Sequence, residues 1–311
     1  MLNINEVSYT RRLPREELQF VDFAHVLYGD AIAEDRANTT AEGLAESTYS
    51  TMWRIELLDD AICRIDNHDQ AVNLFESSQL QSFLESLDGP IAVDLTSLEH
   101  RIWAPFVRAL VETDRRFFAL YAEPDEYRRS DDVPGAVYDL STTRGIEPLP
   151  GFARLSRRSD ELGHFAPLLG FEGARLGHIF DQEEVEVSRT SPIIGLPGFR
   201  IEYPTYTYLA NRDVLTLDRM ERRVEFARAS CPFEAYRAIE RIHSRSGGGH
   251  LRVAPIGTKP HGLGAVLYAI RHPSTVELIY DHPVRAKGRT WGSRGIYVFE
   301  VSDFMRSLAD E

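Results

Sequence analysis

From residue 90 onward, short apolar runs alternate with stretches in which apolar residues recur every three to four positions, and this alternation restricts the chain to few folds. Apolar runs of five or six residues suit buried strands, and the three-to-four spacing suits amphipathic helices. Residues 91–95, 117–121, 167–171, 191–196, 251–256, 276–280 and 296–301 read as strands. Between them lie helical patterns. Ile102, Phe106, Leu110 and Val111 mark one over residues 98–113, with Pro105 inside it. Arg175, His178 and Ile179 mark a second, and Leu217, Met220, Val224 and Ala227 a third. Phe233, Tyr236, Ile239 and Ile242 mark a fourth, and Leu263, Val266, Leu267 and Ile270 a fifth. A short helix from Ser302 ends the pattern. Repeated strand–helix units of this length predict an α/β fold, a Rossmann-like, mostly parallel sheet with helices on both faces.

Residues 1–88 lack this regularity and predict an N-terminal α+β segment for docking or dimerisation, with the α/β domain spanning 89–311. Residues 18–33 read as helix and 35–50 as loop or weak helix. Residues 51–65 read as a hairpin turning at Leu58-Asp59-Asp60-Ala61. A stripe of Leu80, Phe83, Leu84 and Leu87 makes 71–87 helical. Residues 125–151, rich in Asp, Arg, Pro and Gly, read as an excursion between two strands.

Ligands of such sheets bind beyond the carboxyl ends of the strands, so the polar residues at those ends carry the functional reading. Asp94 and the hydroxyls of Thr96 and Ser97 follow the first strand, and Thr96 with Glu99 also fits a helix capping box. Tyr121 and Glu123 follow the next, suited to stacking on a base and to accepting hydroxyls. Gly170-Phe171-Glu172-Gly173 comes after a third, with Arg175 placed to pair with Glu172 or with a phosphate. Asp281-His282 follows another.

The strongest of these loops is Gly257-Thr258-Lys259-Pro260-His261-Gly262, between a buried strand and a helix. Pro260 is harmless in a first helical turn. The loop therefore presents backbone N–H groups, the Thr258 hydroxyl, the Lys259 ammonium and the His261 ring at a helix start, with Gly257 allowing close approach. That combination suits an anion, and a small nucleotide-like ligand is the first expectation. Tyr203, Tyr206, Tyr208 and Asn211 offer either an aromatic wall over a base or core packing, the latter favoured.

Other chemistries lack their residues. There is no GxGxxG, Walker, GxSxG or HExxH pattern, and Cys63 and Cys231 show no metal spacing. With 35 basic against 48 acidic residues and a net charge of −13, non-specific nucleic-acid binding is disfavoured. No apolar run reaches the roughly 20 residues of a bilayer span, and residues 1–20 lack the apolar part of a signal peptide. A soluble, cytoplasmic protein without membrane association is expected.

The Asp94-Leu95-Thr96-Ser97 loop early in the sheet and the Gly257-Thr258-Lys259 loop late in it resemble those of the CRISPR-associated Rossmann-fold sensor domains of prokaryotic defence systems. The resemblance covers at most residues 89–285, and Pro260-His261 departs from it. It implies that Thr96, Ser97, Thr258 and Lys259 line one pocket for a nucleotide second messenger. It also implies binding without turnover, and a protein partner or a homo-oligomer. Two further readings stand beside it. One is an enzyme acting on a phosphorylated small molecule, with Asp94, Glu123 and Glu172 as acid–base groups or holding Mg²⁺, its only implied cofactor, and Lys259 stabilising phosphate charge. The other is an interaction subunit without a small ligand.

Overall fold

The computed structural model describes residues 8–20, 23–30, 36–38, 40, 43, 50–127, 141–142, 145–153, 163–183, 185–285 and 290–309. The chain forms two compact units, Met1–Tyr127 with Lys287–Glu311, and Arg128–Ala286. The second is inserted in the sequence of the first, and each has its own sheet.

The first unit contains strands β1 (Thr10–Leu13), β2 (His25–Gly29), β3 (Thr51–Leu57), β4 (Ile62–Ile65), β5 (Val72–Asn73), β6 (Ile91–Asp94) and β7 (Phe117–Tyr127). Its last strand, β16 (Thr290–Phe299), follows the inserted unit. Their order across the sheet is β1-β16-β7-β6-β2-β3-β4-β5. The four central strands are parallel, and the pairs outside them are antiparallel. In chain order the parallel strands lie 2-1-3-4, so the winding reverses between β2 and β6. One face is packed by Leu18, Phe23, Val26, Ala92, Leu120, Ile296 and Val298. Helices α1 (Ser77–Glu85) and α2 (His100–Glu112) pack together, and α2 packs on β6. Phe83 of α1 meets Phe106 of α2 edge-on at 6.4 Å.

The second unit contains β8 (Ser141–Thr142), β9 (Glu147–Pro148), β10 (His164–Leu168), β11 (Ile193–Gly195), β12 (Glu225–Ala227), β13 (Leu251–Pro255), β14 (Val276–Tyr280) and β15 (Val284–Arg285). Strands β8 and β15 form a separate ribbon. The sheet runs β12-β11-β10-β13-β14-β9, parallel except for the β9 edge. Its five parallel strands lie 3-2-1-4-5 in chain order, the doubly wound Rossmann arrangement, reversing between β10 and β13. Helices α3 (Gly173–Gln182), α4 (Tyr203–Ala210) and α5 (Arg212–Leu215) join the strands on one side of the reversal. Helices α6 (Pro232–Arg245) and α7 (Lys259–Arg271) join those on the other. Leu176 and Ile179 of α3 and Leu215 of α5 share a core with Phe165, Ile194, Ala254 and Ile279. The alternate positions Ala166, Ile193, Val253 and Leu278 are equally buried, and α7 packs on β13 and β14. Helices therefore cover both faces. The short helix α8 (Val301–Ser307) follows β16 in the first unit.

Three expectations are corrected. The strands read from 91 to 301 form two sheets: β6, β7 and β16 belong to the first, and β10 to β14 to the second. Residues 1–88 are no separate segment, because β2 is hydrogen-bonded to β6 and shares the sheet with β7. Within the stretch read as helix at 18–33, residues 25–29 are a strand buried between two parallel neighbours, which favours a continuous apolar run over a helical stripe. Locally, Val224 and Ala227 leave the helix read around Met220, since a 3-10 helix ends at Arg223 and β12 follows. The hairpin at 51–65 forms as β3 and β4. Part of the excursion read at 125–151 lies outside the described residues.

Candidate ligand site

Each sheet ends its parallel strands at an edge where a ligand belongs, and the two edges differ in how much polar capacity they leave open.

At the first edge the strand-end groups bond to one another. Asp94 Oδ1 accepts from the Thr96 backbone N–H at 2.8 Å, closing an Asx turn, and Oδ2 accepts from the Ser97 hydroxyl at 2.7 Å. Ser97 Oγ in turn accepts from Gly29 N–H at 3.0 Å, across the β2–β6 reversal. Thr96 does not cap α2. Its hydroxyl accepts from Ala122 N–H at 2.8 Å, and α2 starts after Glu99 without a side-chain cap. Strand β7 runs on to Tyr127, so Tyr121 and Glu123 lie within a strand instead of beyond its end. Tyr121 is buried with the Arg36 guanidinium 5.0 Å from its ring centre, and Arg36 donates to the Ala122 carbonyl at 2.7 Å. Glu123 accepts from Arg12 Nε at 3.1 Å. These contacts engage the strand-end groups with one another and with Arg12 and Arg36.

The second edge is built around Gly170 and Gly257, which face each other where β10 and β13 end. A Cβ on Gly170 would stand 2.9 Å from the Ile256 carbonyl oxygen, and one on Gly257 would stand 2.7 Å from that of Leu169. Only glycine lets the two loops leave the sheet this close together. Below them Arg175 bridges outward. Its Nε and Nη2 donate to Asp281 at 2.7 and 2.6 Å, its Nη1 donates to the Ile256 carbonyl at 3.1 Å, and Glu172 lies 3.6 Å away. Burial alone would lower the guanidinium pKa, but hydrogen bonding and the charge of Asp281 outweigh it and raise it. Arg175 thus makes its hydrogen-bonded pair with Asp281, 106 residues away, and a longer ion pair with Glu172 at 3.6 Å.

Thr258 is the N-cap of α7. Its hydroxyl donates to the Ala229 carbonyl at 2.8 Å and accepts from His261 N–H at 3.3 Å. The His261 ring is fully buried and meets the Arg228 carbonyl at 3.1 Å. Burial pushes its pKa down to about 4, against the raising effect of the nearby carbonyls, so the ring is neutral at pH 7. Lys259 takes the first position of α7 and is nearly buried. The N-terminus of α3 is different. It starts after Glu172 without a side-chain cap, Glu172 and Gly173 are half-buried, and Ala174 is exposed. Beside it, Asn211 donates from Nδ2 to the Gly170 carbonyl at 2.9 Å, and Phe171 meets the Tyr203 ring edge-on at 5.0 Å.

The structure therefore gathers Glu172, Arg175, Gly257, Thr258, Lys259 and His261 at one edge of one sheet. Asp94, Thr96, Ser97, Tyr121 and Glu123 belong to the other sheet. The two loops behind the resemblance to the sensor domains, expected on a single sheet, lie on two. Arg12 and Arg36, which hold Glu123 and Tyr121, gave no motif in the sequence, because isolated arginines do not announce distant partners. Asn211 stood out only as the end of a tyrosine-rich stretch.

Among the described residues no three His, Cys, Asp or Glu side chains converge as metal ligands. A divalent ion here would depend on ligand phosphates and one or two carboxylates, a common arrangement for Mg²⁺. No helix among the described residues is long and apolar enough to cross a membrane. The fold defines a protein of two α/β units with doubly wound parallel strands, the second in the Rossmann-like order. Compared with protein-family models, curated proteins and solved structures, the chain matches none.

Proposed function

We propose that the second unit binds a small anionic, nucleotide-like ligand over the β10–β13 reversal, with its phosphate at the start of α3 and Lys259 of α7 as the neutralising cation. The observation that carries this reading is the uncapped, partly exposed N-terminus of α3, adjoining the Gly257-Thr258-Lys259 loop where the winding of a 3-2-1-4-5 sheet reverses. Backbone N–H groups and the helix dipole favour an anion at such a point. The first unit's edge is the weaker candidate, since Asp94, Ser97 and Gly29 N–H are bonded to one another.

Binding without turnover is the favoured form. Two of the three acids required by the enzyme reading, Asp94 and Glu123, are engaged within the first unit. A protein partner is a second element of the proposal. Ile201 is 95% exposed, and Leu196, Leu209, Leu217 and Phe226 of the same unit are about half exposed or slightly less or more. A contiguous apolar patch built from such side chains would form an interaction surface. A role as sensor or accessory subunit in prokaryotic defence rests on the resemblance of the Gly257-Thr258-Lys259 loop.

The test is a thermal-shift and calorimetric screen with inorganic phosphate and mono-, di- and cyclic nucleotides, with and without Mg²⁺, on the wild type and Lys259→Met. A ligand at 100 times its Kd stabilises by about 2.7 kcal/mol. A shift that Lys259→Met weakens supports the site. No response to any of these anions removes it and leaves the protein-interaction reading.

A further inference from the structure

The turn that opens α3 contains an unmet hydrogen bond. Asn211 is 1% exposed, and its Nδ2 donates to the carbonyls of Gly170 at 2.9 Å and Thr207 at 2.8 Å. Both amide hydrogens are thereby used, and the amide plane is held against the Gly170 turn. Its Oδ1 is shielded from solvent and has no donor. The residue sits beside the first residue of α3: a Cβ on Gly173 would lie 1.7 Å from the Ala210 carbonyl oxygen and 3.4 Å from Asn211 N. A buried carbonyl oxygen without a donor is a costly arrangement in a folded protein. Asn211 lies next to the start of α3, which has no side-chain cap.

We propose that Asn211 Oδ1 accepts a hydrogen bond from a ligand hydroxyl, so that the site selects a phosphate ester carrying a free sugar hydroxyl, such as the ribosyl phosphate of a nucleotide. This rests on the reading of the β10–β13 edge as an anion site and adds a specificity determinant to it. The chemistry follows from the groups present. Helix N–H groups donate and take the phosphate, whereas Oδ1 can only accept and needs an O–H or N–H donor. The phosphoryl group of a monoester dianion offers only acceptors. A sugar attached to it supplies donors a few ångströms away. Sites built around such buried acceptors discriminate against analogues that lack the donor. Because Oδ1 is shielded in the free protein, the Gly170–Gly173 turn must yield on binding.

The test titrates three probes into the full-length protein: inorganic phosphate, methyl ribofuranoside 5-phosphate and its 2,3-dideoxy analogue. The expected result is roughly tenfold tighter binding of the riboside phosphate than of the dideoxy analogue, the worth of one good hydrogen bond. In Asn211→Leu the ratio falls to near one while phosphate binding persists. Because that variant also loses the Gly170 bond and can unfold, the wild-type Asn211 side-chain amide resonance is followed as well. It shifts with the riboside phosphate and not with the dideoxy analogue. Equal binding of the two sugar phosphates, or an unmoved Asn211 resonance, overturns the role of Asn211 and leaves the anion site standing. Failure of all three probes to bind overturns the anion site and this proposal together.

Discussion

Arg175 holds Asp281 in a two-pronged pair, Nε to Oδ2 at 2.7 Å and Nη2 to Oδ1 at 2.6 Å, with both side chains buried. The pair ties the first turn of α3 to the end of β14. The third donor, Nη1, reaches the Ile256 carbonyl between them. The loops at the β10–β13 reversal therefore stand on a buried ionic strut.

Breaking that strut on one side should be expensive. Asp281→Ala removes the hydrogen-bonded counter-charge of a buried guanidinium, leaving it only Glu172 at 3.6 Å, and should lose about 3 kcal/mol of stability. The double variant Arg175→Met, Asp281→Val should recover part of this, since it removes the buried guanidinium and its main partner together, although Glu172 then loses the Arg175 charge. Urea titrations of the three proteins provide the check, and equal stability of the single and double variants would contradict it.

Asp94→Ala removes the acceptor of the Thr96 N–H and of the Ser97 hydroxyl. The expected loss is about 1–3 kcal/mol from the groups left unsatisfied. Phosphate affinity at the second unit should stay unchanged in calorimetry, whereas a ligand bound at Asp94 would lose affinity in step.

Thr258→Val deletes the N-cap of α7 and a donor to the Ala229 carbonyl. It should cost about 1–2 kcal/mol, and Thr258→Ser should restore most of it. Denaturant midpoints of the pair are sufficient to see this.

The buried His261 predicts acid lability. Its folded-state pKa, about 4, lies below the 6.5 of an unfolded chain, chiefly because burial disfavours the charged ring. The unfolded state then binds the extra proton between those values. The contribution is complete above pH 6.5 and falls as pH drops toward 4, by roughly 3 kcal/mol in all. His164 and His272, both lowered mainly by burial, act in the same direction. Stability measured at pH 7 and pH 4.5 should fall less in His261→Gln than in the wild type.

Gly173→Ala places a methyl group 1.7 Å from the Ala210 carbonyl oxygen, a contact with backbone that cannot swing aside. Overpacking of this kind costs about 1–3 kcal/mol, or more when backbone must move. A melting curve of the variant indistinguishable from wild type would show that the turn has slack.

Much of this architecture was legible in the chain. Residues 251–256 and 276–280 read as strands because a buried parallel strand is a continuous apolar run visible locally, and the strands form at Leu251–Pro255 and Val276–Tyr280. The helices α2, α6 and α7 were visible by their spacing. The Gly170 and Gly257 loops stood out because strand-end glycines next to charged residues are uncommon in plain turns. What misled was short-range similarity. The β2 strand resembles a helical stripe over a longer window, and Thr96 with Glu99 has the spacing of a cap that the Ala122 N–H outcompetes.

Periodicity and strand-end chemistry, which depend only on neighbouring residues, specified an α/β chain with its polar groups at the strand ends. Which strands share a sheet, and which polar groups are already spent, depended on partners far away in sequence. β16 pairs with β7 across the whole inserted unit, and Arg175 takes its hydrogen-bonded pair from Asp281 as well as an ion pair from the nearby Glu172. Pairing of that kind is decided by the burial and hydrogen-bond satisfaction of the entire fold. For this reason only the tertiary structure showed that Asp94 spends its carboxylate on Thr96 and Ser97, and that α3 starts without a side-chain cap.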